Sequence, residues 1–573
     1  MKNKINSRKI FTGTISLFAL FAAIPASAVD TIYKNGKVYT VEVSQPWAEA
    51  FAVENGRIVS VGSSEQVTKL KTDKTKVVDL KGQFVMPGFI DAHIHPIRSQ
   101  LMADVDFSNN AGVPVTPQEF AKKIKDYADA NPDKTWLTGG AFSWGTFTDS
   151  KLNSDFLDAV VSDRPVVIED ETGHIAIANS KALEFAGITE DTEDPVGGYY
   201  GREADGSLNG LLYETAMQAV FEKSPNYSED QVYNSGKTVF SKLNSLGFTG
   251  LKIAQGDHLW LGAMKRLDND QLLNMQVSVS PYEKDFYRLY SNIETIKNRA
   301  AYETDHVRVN SVKLLADGVP FGQTMFIKDT YPDSDNHGLP MIPPKQLTEK
   351  VIKYNAMGLS VMVHATGDAA AELVLNATEA SMQENGIEKV RALRNHIAHN
   401  VIVDQNDHDR MKYNNVIMEF SPSFWFPRPI VEQAEVDLGK EMLQTVWPLG
   451  PTLRAGINVA IGSDWNQAQA DPFINAETLV TRRAPGAGKN DVILGKDSAV
   501  TLAQVIHAYT MGGAYAMFME EELGSIRPGK RANFVVLSQD LFKIPHNRIH
   551  KTFVRQTYFE GKLVYQGDKK VSF

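Results

Sequence analysis

The sequence predicts an α/β fold: a (β/α)8 TIM-like barrel, a small β-sandwich domain built from both chain ends, and an insertion after the first barrel strand. Three observations predict it. Short alternating strand patterns stand at both ends of the 573-residue chain. In the centre, apolar strand-like runs alternate with helical periods, as expected of parallel strands buried on both faces. Histidine, lysine and aspartate recur at the ends of successive central runs, where barrel enzymes place their sites.

Taken in order, the chain opens with a secretory pattern. Lys2, Lys4, Arg8 and Lys9 precede a mostly apolar run, 10–24, and Ala26-Ser27-Ala28 forms an A-x-A cleavage site. The run is short for a membrane span, which needs about 20 apolar residues, and Pro25 ends it. The expectation is a signal peptide, 1–28, cleaved after Ala28, and a periplasmic or secreted protein with no stable membrane insertion after cleavage. Its removal takes four positive charges and shifts the formal net charge from −10 to −14. That acidity argues against nucleic acid or anionic membranes as partners. The chain has no cysteine, so disulfides and cysteine zinc sites are excluded, and any metal must be held by histidine and carboxylates.

Residues 29–87 read as the first part of the sandwich. "AEAFAVENGRIVSVG" is a hairpin with Asn55-Gly56 at its turn. Residues 88–510 read as the barrel, through "FTGLKIA", "MQVSVS", "VNSVKLL", "LSVMVHA", "RNHIAHN", "NVIMEFSP" and "NVAIGSD". Helical periods such as "PPKQLTEKVIKYNAMG" lie between them. The stretch from about 101 to 211 is longer than one βα unit needs and reads as an insertion, a candidate lid. Residues 511–573 return to β patterns and read as the second part of the sandwich. A doubly wound open sheet is the alternative, but no glycine fingerprint opens a first βα unit.

"PGFIDAHIHP" carries His93 and His95. On a strand, residues i and i+2 share a face, about 6.6 Å apart, so two imidazoles can grip one metal ion. "SVMVHATGD" ends a strand with His364, "RNHIAHN" offers His396 and His399, "VAIGSDW" ends with Asp464, and "VKLLADG" buries Lys313 in an apolar run. Each alone has a structural reading. Together they would converge on one barrel mouth. His174, in "DETGHIAIANS", follows a strand and a glycine. "SPSFWFPRP", with Arg428, either lines a pocket or packs the rim. His507 reads as packed structure, and His258, His306, His337, His408, His546 and His550 as solvated or structural.

With these motifs, "DETGHIAIANSKAL", "GSLNGLLYETA", "AYTMGGAYAM" and "LGSIRPGKRANFVVL", the sequence resembles the metal-dependent amidohydrolase superfamily, in its YtcJ-like (amidohydrolase 3) branch. The resemblance implies the same barrel and two-ended sandwich. It implies two divalent ions, zinc first among candidates. His93 and His95 would bind the more buried ion, and His364 and His399 the second. A CO2-derived carbamate on Lys313 would bridge them. Asp464 would be both metal ligand and general base, then acid, as a metal-bridging hydroxide attacks a non-peptide carbon–nitrogen bond of a small amide-type substrate. His174 would orient the substrate carbonyl or oxyanion. Lys252 rivals Lys313, and His396 rivals His399, since Ala398 replaces the acid usual before that histidine. Asn533 replaces a sandwich acid, and Tyr199, Tyr200 and Glu203 alter the insertion motif. Esterase, lactonase or isomerase chemistry on the same scaffold, or a binding protein without catalysis, are the alternatives. Nothing in the pattern argues against a homodimer.

Overall fold

A computed structural model describes residues 29–97, 104–107, 115–147, 151–283, 291–425, 429–465 and 469–571. The expected signal peptide and Arg428 lie outside these residues.

The site rests on nine parallel strand segments: β1 (Phe89–Ile94), β2 (Phe248–Ile253), β3 (Gln276–Val279), β4 (Val307–Arg308), β5 (Ser311–Leu315), β6 (Ser360–Ala365), β7 (His396–His399), β8 (Ile417–Phe420) and β9 (Asn458–Ile461). They form two sheets, ordered β4-β3-β2-β1 and β5-β6-β7-β8-β9, with every pairing parallel. β1, β2 and β6 are buried at every residue, which is why they read as near-continuous apolar runs rather than alternating ones. The sheets meet at both edges. Lys313 N donates to the Pro281 carbonyl (2.9 Å), and Asp464 N donates to the His93 carbonyl (2.9 Å). The result is a mixed α/β fold consistent with a TIM-barrel type.

Helices connect the strands, and some are started by side-chain caps. Ser228 and Gln231 form a capping box before Glu229–Ser245, and Asp257 caps His258–Asn269. The helices bury one face on the strands in a single large apolar cluster that includes Phe248, Leu251, Val277, Val361, Val363 and Met418.

The chain ends make two further sheets. One runs Arg57–Gly62, Ala50–Glu54, Thr31–Lys34, Lys76–Asp79. The other runs Lys562–Gln566, Val554–Phe559, Phe534–Leu537, Phe84–Pro87, Lys37–Tyr39, Trp47–Ala48. Phe84–Pro87 pairs antiparallel with Phe534–Leu537, so both termini share a sheet. Tyr33, Phe51, Phe534 and Tyr558 fill the space between the two sheets, with Tyr33 and Phe51 stacked at 4.9 Å. Asn55 and Gly56 both take positive φ (49° and 74°) at the predicted hairpin turn, as that turn type requires.

The inserted region is a six-stranded sheet with its own apolar clusters, ordered Gly198–Arg202, Leu208–Glu214, Ile175–Ala178, Val166–Asp170, Leu137–Phe142, Val105–Asp106. It runs on to Glu214, three residues beyond the expected end at 211. Residues 511–517 do not start the terminal β region. Residues 508–516 are helical and pack on β1 and β9. A Cβ on Gly512 would strike the Val459 carbonyl, and one on Gly513 would lie 2.7 Å from Ile90 Cβ. Two glycines are the sequence's means of bringing that segment so close.

Candidate metal centre

Strand parity builds the centre. On β1, Asp91 and His93 are both fully buried, and His95 follows just beyond the strand. Asp91 Oδ1 accepts from His93 N (3.1 Å) and from Ser463 N (3.0 Å), tying β1 to the residues after β9. Burial pushes the Asp91 carboxyl up to about 7.

His93 and His95 present their outer ring nitrogens to Asp464. His93 Nδ1 pairs with Glu419 Oε2 at 2.8 Å, and His95 Nδ1 with Gln255 Oε1 at 3.2 Å. Their Nε2 atoms then lie 3.7 and 3.3 Å from Asp464 Oδ1. Despite that proximity, Asp464 Oδ1 is buried and makes no well-angled hydrogen bond. One histidine nitrogen tied back by a carboxylate or amide, with the other facing inward, is the usual support of a metal ligand. Burial, then Lys313 and the neighbouring histidines, drive the His93 imidazole well below its usual value. A neutral ring keeps a lone pair for a metal.

The remaining histidines extend the set in a row. Ring centroids run His95–His93 5.4 Å, His93–His399 4.4 Å, His399–His364 4.6 Å and His364–His174 4.7 Å. Burial also holds His364 and His399 well below the imidazole norm. His364 Nε2 lies 3.0 Å from the Gly318 carbonyl, and His399 Nδ1 lies 3.2 Å from Ser421 Oγ. Lys313 Nζ is 3.1 Å from His93 Nε2 and 2% exposed as a residue. Burial pulls its ammonium down to about 8, against the pull of Asp464 and Glu419.

Thus the structure brings His93, His95, Lys313, His364, His399, Asp464 and His174 to one place, and it separates the rivals. His396 shares the strand face of Ala398, which packs with Ala254 and Met362. Both His396 ring nitrogens are buried without a hydrogen-bond partner. His399 instead sits at φ 75°, and Asp464 at φ 54°. Left-handed backbone is uncommon outside glycine and marks positions held by their surroundings. At His399 it departs from regular strand alternation just where the ring joins the row. Lys252 donates to Ser311 Oγ at 2.7 Å rather than joining the histidines, and burial pulls it to about 7.

Four supporting groups escape sequence reasoning. Glu419 and Gln255 hold His93 and His95. Glu214 Oε2 lies 2.7 Å from His174 Nδ1. Asp317 accepts from Thr366 N and Gly367 N at 2.9 Å each, fixing the turn after His364. Glu419 carried a signal: like Lys313, it is an ion inside an apolar strand run. Burial and Asp464 push it up to about 8. Among the described residues two ligand-sized groups emerge, His93–His95–Asp464 and His93–His399–Glu419, each with its donor atoms within 4.8 Å of one another.

Over this row lies a cavity. His174, His364, His399 and Asp464 form its polar end, and Val401, Leu438, Val446 and Trp447 stand among its apolar walls.

The chain is similar to known proteins over most of its length. The sequence profile of the amidohydrolase family matches residues 76–565. YtcJ of Bacillus subtilis is 27% identical over 555 residues, covering 93% of this chain and 99% of its own. The N-substituted formamide deformylase of Arthrobacter pascens is 25% identical over 547 residues, covering 94% and 98%. An uncharacterized metal-dependent hydrolase from Pyrococcus horikoshii shares the fold, with a TM-score of 0.69 at 20% identity, over 90% of this chain and 99% of that one.

Proposed function

The chain belongs to the amidohydrolase family, in its YtcJ-like branch, and from that premise we propose that this metal-dependent enzyme hydrolyses a non-peptide carbon–nitrogen bond in a small amide-type molecule. A relative named as a deformylase of N-substituted formamides supports the bond class. In this reading the parallel strands close one (β/α)8 barrel, with β4 and β5 sharing one position. The two terminal sheets form the sandwich, and the inserted sheet covers the mouth.

The observation that carries the reading is the group His93, His95 and Asp464. Two imidazole nitrogens and a carboxylate oxygen face one another, and Asp464 Oδ1 has no hydrogen-bond partner. Buried polar atoms are otherwise nearly always paired, so this set fits a divalent cation. His93, His95, Lys313, His364, His399 and Asp464 would hold two such ions, zinc being suited to imidazole and carboxylate. Divalent ions bound there supply Lewis acidity and an acidified water.

The chain's own residues do the rest. Asp464, 7% exposed at the cavity floor, accepts a proton and returns it to the leaving nitrogen. His174 donates to the substrate carbonyl oxygen. Although burial opposes it, Glu214 holds the His174 imidazole above its usual value and so favours the protonated, donating ring. Lys313 carries a carbamate. With its amine lowered to about 8, a neutral fraction is present at neutral pH. Its lone pair forms the new bond to the carbon of CO2 and the nitrogen releases a proton.

The test is metal analysis beside activity. Purified protein is expected to hold close to two divalent ions. His95→Ala is expected to hold fewer, and chelation to abolish hydrolysis until zinc is restored. Full activity in metal-free protein would refute the proposal.

A further inference from the structure

The walls of the cavity indicate which amides it accepts. Val431, Ala434 and Leu438 lie at i, i+3 and i+7 of the helical stretch of Pro429–Leu443 that precedes its break at Gly439, and line one side. Val401, Val446 and Trp447 line another. All six are buried. Trp447 is stacked on Trp425 with ring centroids 5.8 Å apart, and the Arg482 guanidinium lies 4.8 Å from the far partner's ring. Trp447 N also donates to the Val401 carbonyl at 2.7 Å. That wall is therefore fixed before any ligand arrives.

Among the described residues that line the cavity, the titratable ones are His174, His364, His399 and Asp464. All four belong to the centre at its floor. Among the described residues, no lysine, arginine or glutamate side chain lines the walls. A carboxylate or ammonium seated there would lose its water and gain no partner, which is strongly unfavourable. An aryl or branched alkyl group would bury apolar area against a preformed surface.

Resting on the hydrolase reading of the same centre, we infer that the enzyme selects uncharged N-substituted amides and seats an aryl or branched-alkyl substituent between the 429–443 helix and Trp447. The amide end faces the histidine row. Leu438 and Trp447 set the specificity.

The experiment compares zinc-loaded enzyme on N-(4-methylbenzyl)acetamide and its carboxylate counterpart N-(4-carboxybenzyl)acetamide, which has nearly the same shape. A kcat/KM at least tenfold higher for the neutral compound supports the inference. A smaller or reversed ratio overturns it while leaving the hydrolase reading intact. Leu438→Lys, with metal content measured as the check on folding, is expected to shift that ratio at least tenfold toward the carboxylate. An unchanged ratio in a metal-replete variant counts against the assigned wall. If neither compound is hydrolysed, the hydrolase reading fails for this substrate class, and calorimetric binding decides the pocket. Tenfold tighter binding of the neutral compound upholds the inference, and anything less overturns it.

Discussion

Changing Glu214 to Gln isolates the charge behind His174 while keeping its shape. Glu214 is fully buried and sits at φ 53°, an uncommon backbone for a non-glycine residue. Its Oε1 accepts from Thr324 Oγ1 at 2.6 Å, and its Oε2 lies 2.7 Å from His174 Nδ1. Glutamine can keep the threonine contact, so the loss falls on the charge. A hydrogen bond to an ionised group is worth about 1.5–3 kcal/mol, and each pKa unit corresponds to about 1.4 kcal/mol. His174 should therefore titrate lower in the variant, because the burial that opposed its charge then acts with less resistance. In the native enzyme, activity that needs protonated His174 is lost as pH rises through its raised value. The variant should lose that alkaline limb at correspondingly lower pH and fall about 10- to 100-fold in kcat at pH 7.5. The assay is a kcat profile from pH 5.5 to 9.5, with metal content measured in parallel. An unchanged profile with full metal content would refute the role given to the pair.

Lys313→Ala should abolish turnover and lower metal content. Partial recovery on adding short carboxylic acids, read by kinetics and metal analysis, would be the signature of a missing carbamate, and normal activity in the variant would remove that claim. His306 offers a test of stability far from the centre. Burial opposes its charge, but Asp268 at 2.6 Å and Glu560 at 3.2 Å raise it to about 9. A raised folded value stabilises fully below the unfolded pKa of about 6.5 and is lost as pH rises through 9. Discounted for its partial exposure, the contribution is about 1–2 kcal/mol. Denaturant melts at pH 6.5 and 9.5 should differ by that much in the native protein and by less in His306→Gln.

The sequence made much of this legible because the signals were local. A strand period of two placed His93 and His95 on one face before any fold was known. Lys313 stood out as a charge in an apolar run, and Asn55-Gly56 announced its hairpin through backbone preference alone. The boundary near 511 was less legible, because the strand surface that Gly512 and Gly513 press against exists only in the folded chain. The choice of His399 over His396 was also hidden. Alternation along β7 points His396 and Ala398 the same way, and only a left-handed residue at the strand's end brings His399 into the row.

What the sequence by itself determined is the donor inventory: without cysteine, a metal could be held only by histidine and carboxylate, and the strand ends supplied both. What the tertiary structure decided is the state and support of those donors. Glu419 reaches His93 across 326 positions, Gln255 reaches His95 across 160, and Glu214 reaches His174 across 40. No local pattern encodes such pairs, because they arise only when distant strands are brought side by side. Burial, equally a property of the whole fold, then favours the neutral rings of His93, His364 and His399 and lowers the lysine. The apolar walls follow the same rule, since Leu438 and Trp447 look like ordinary core residues until folding leaves a cavity between them.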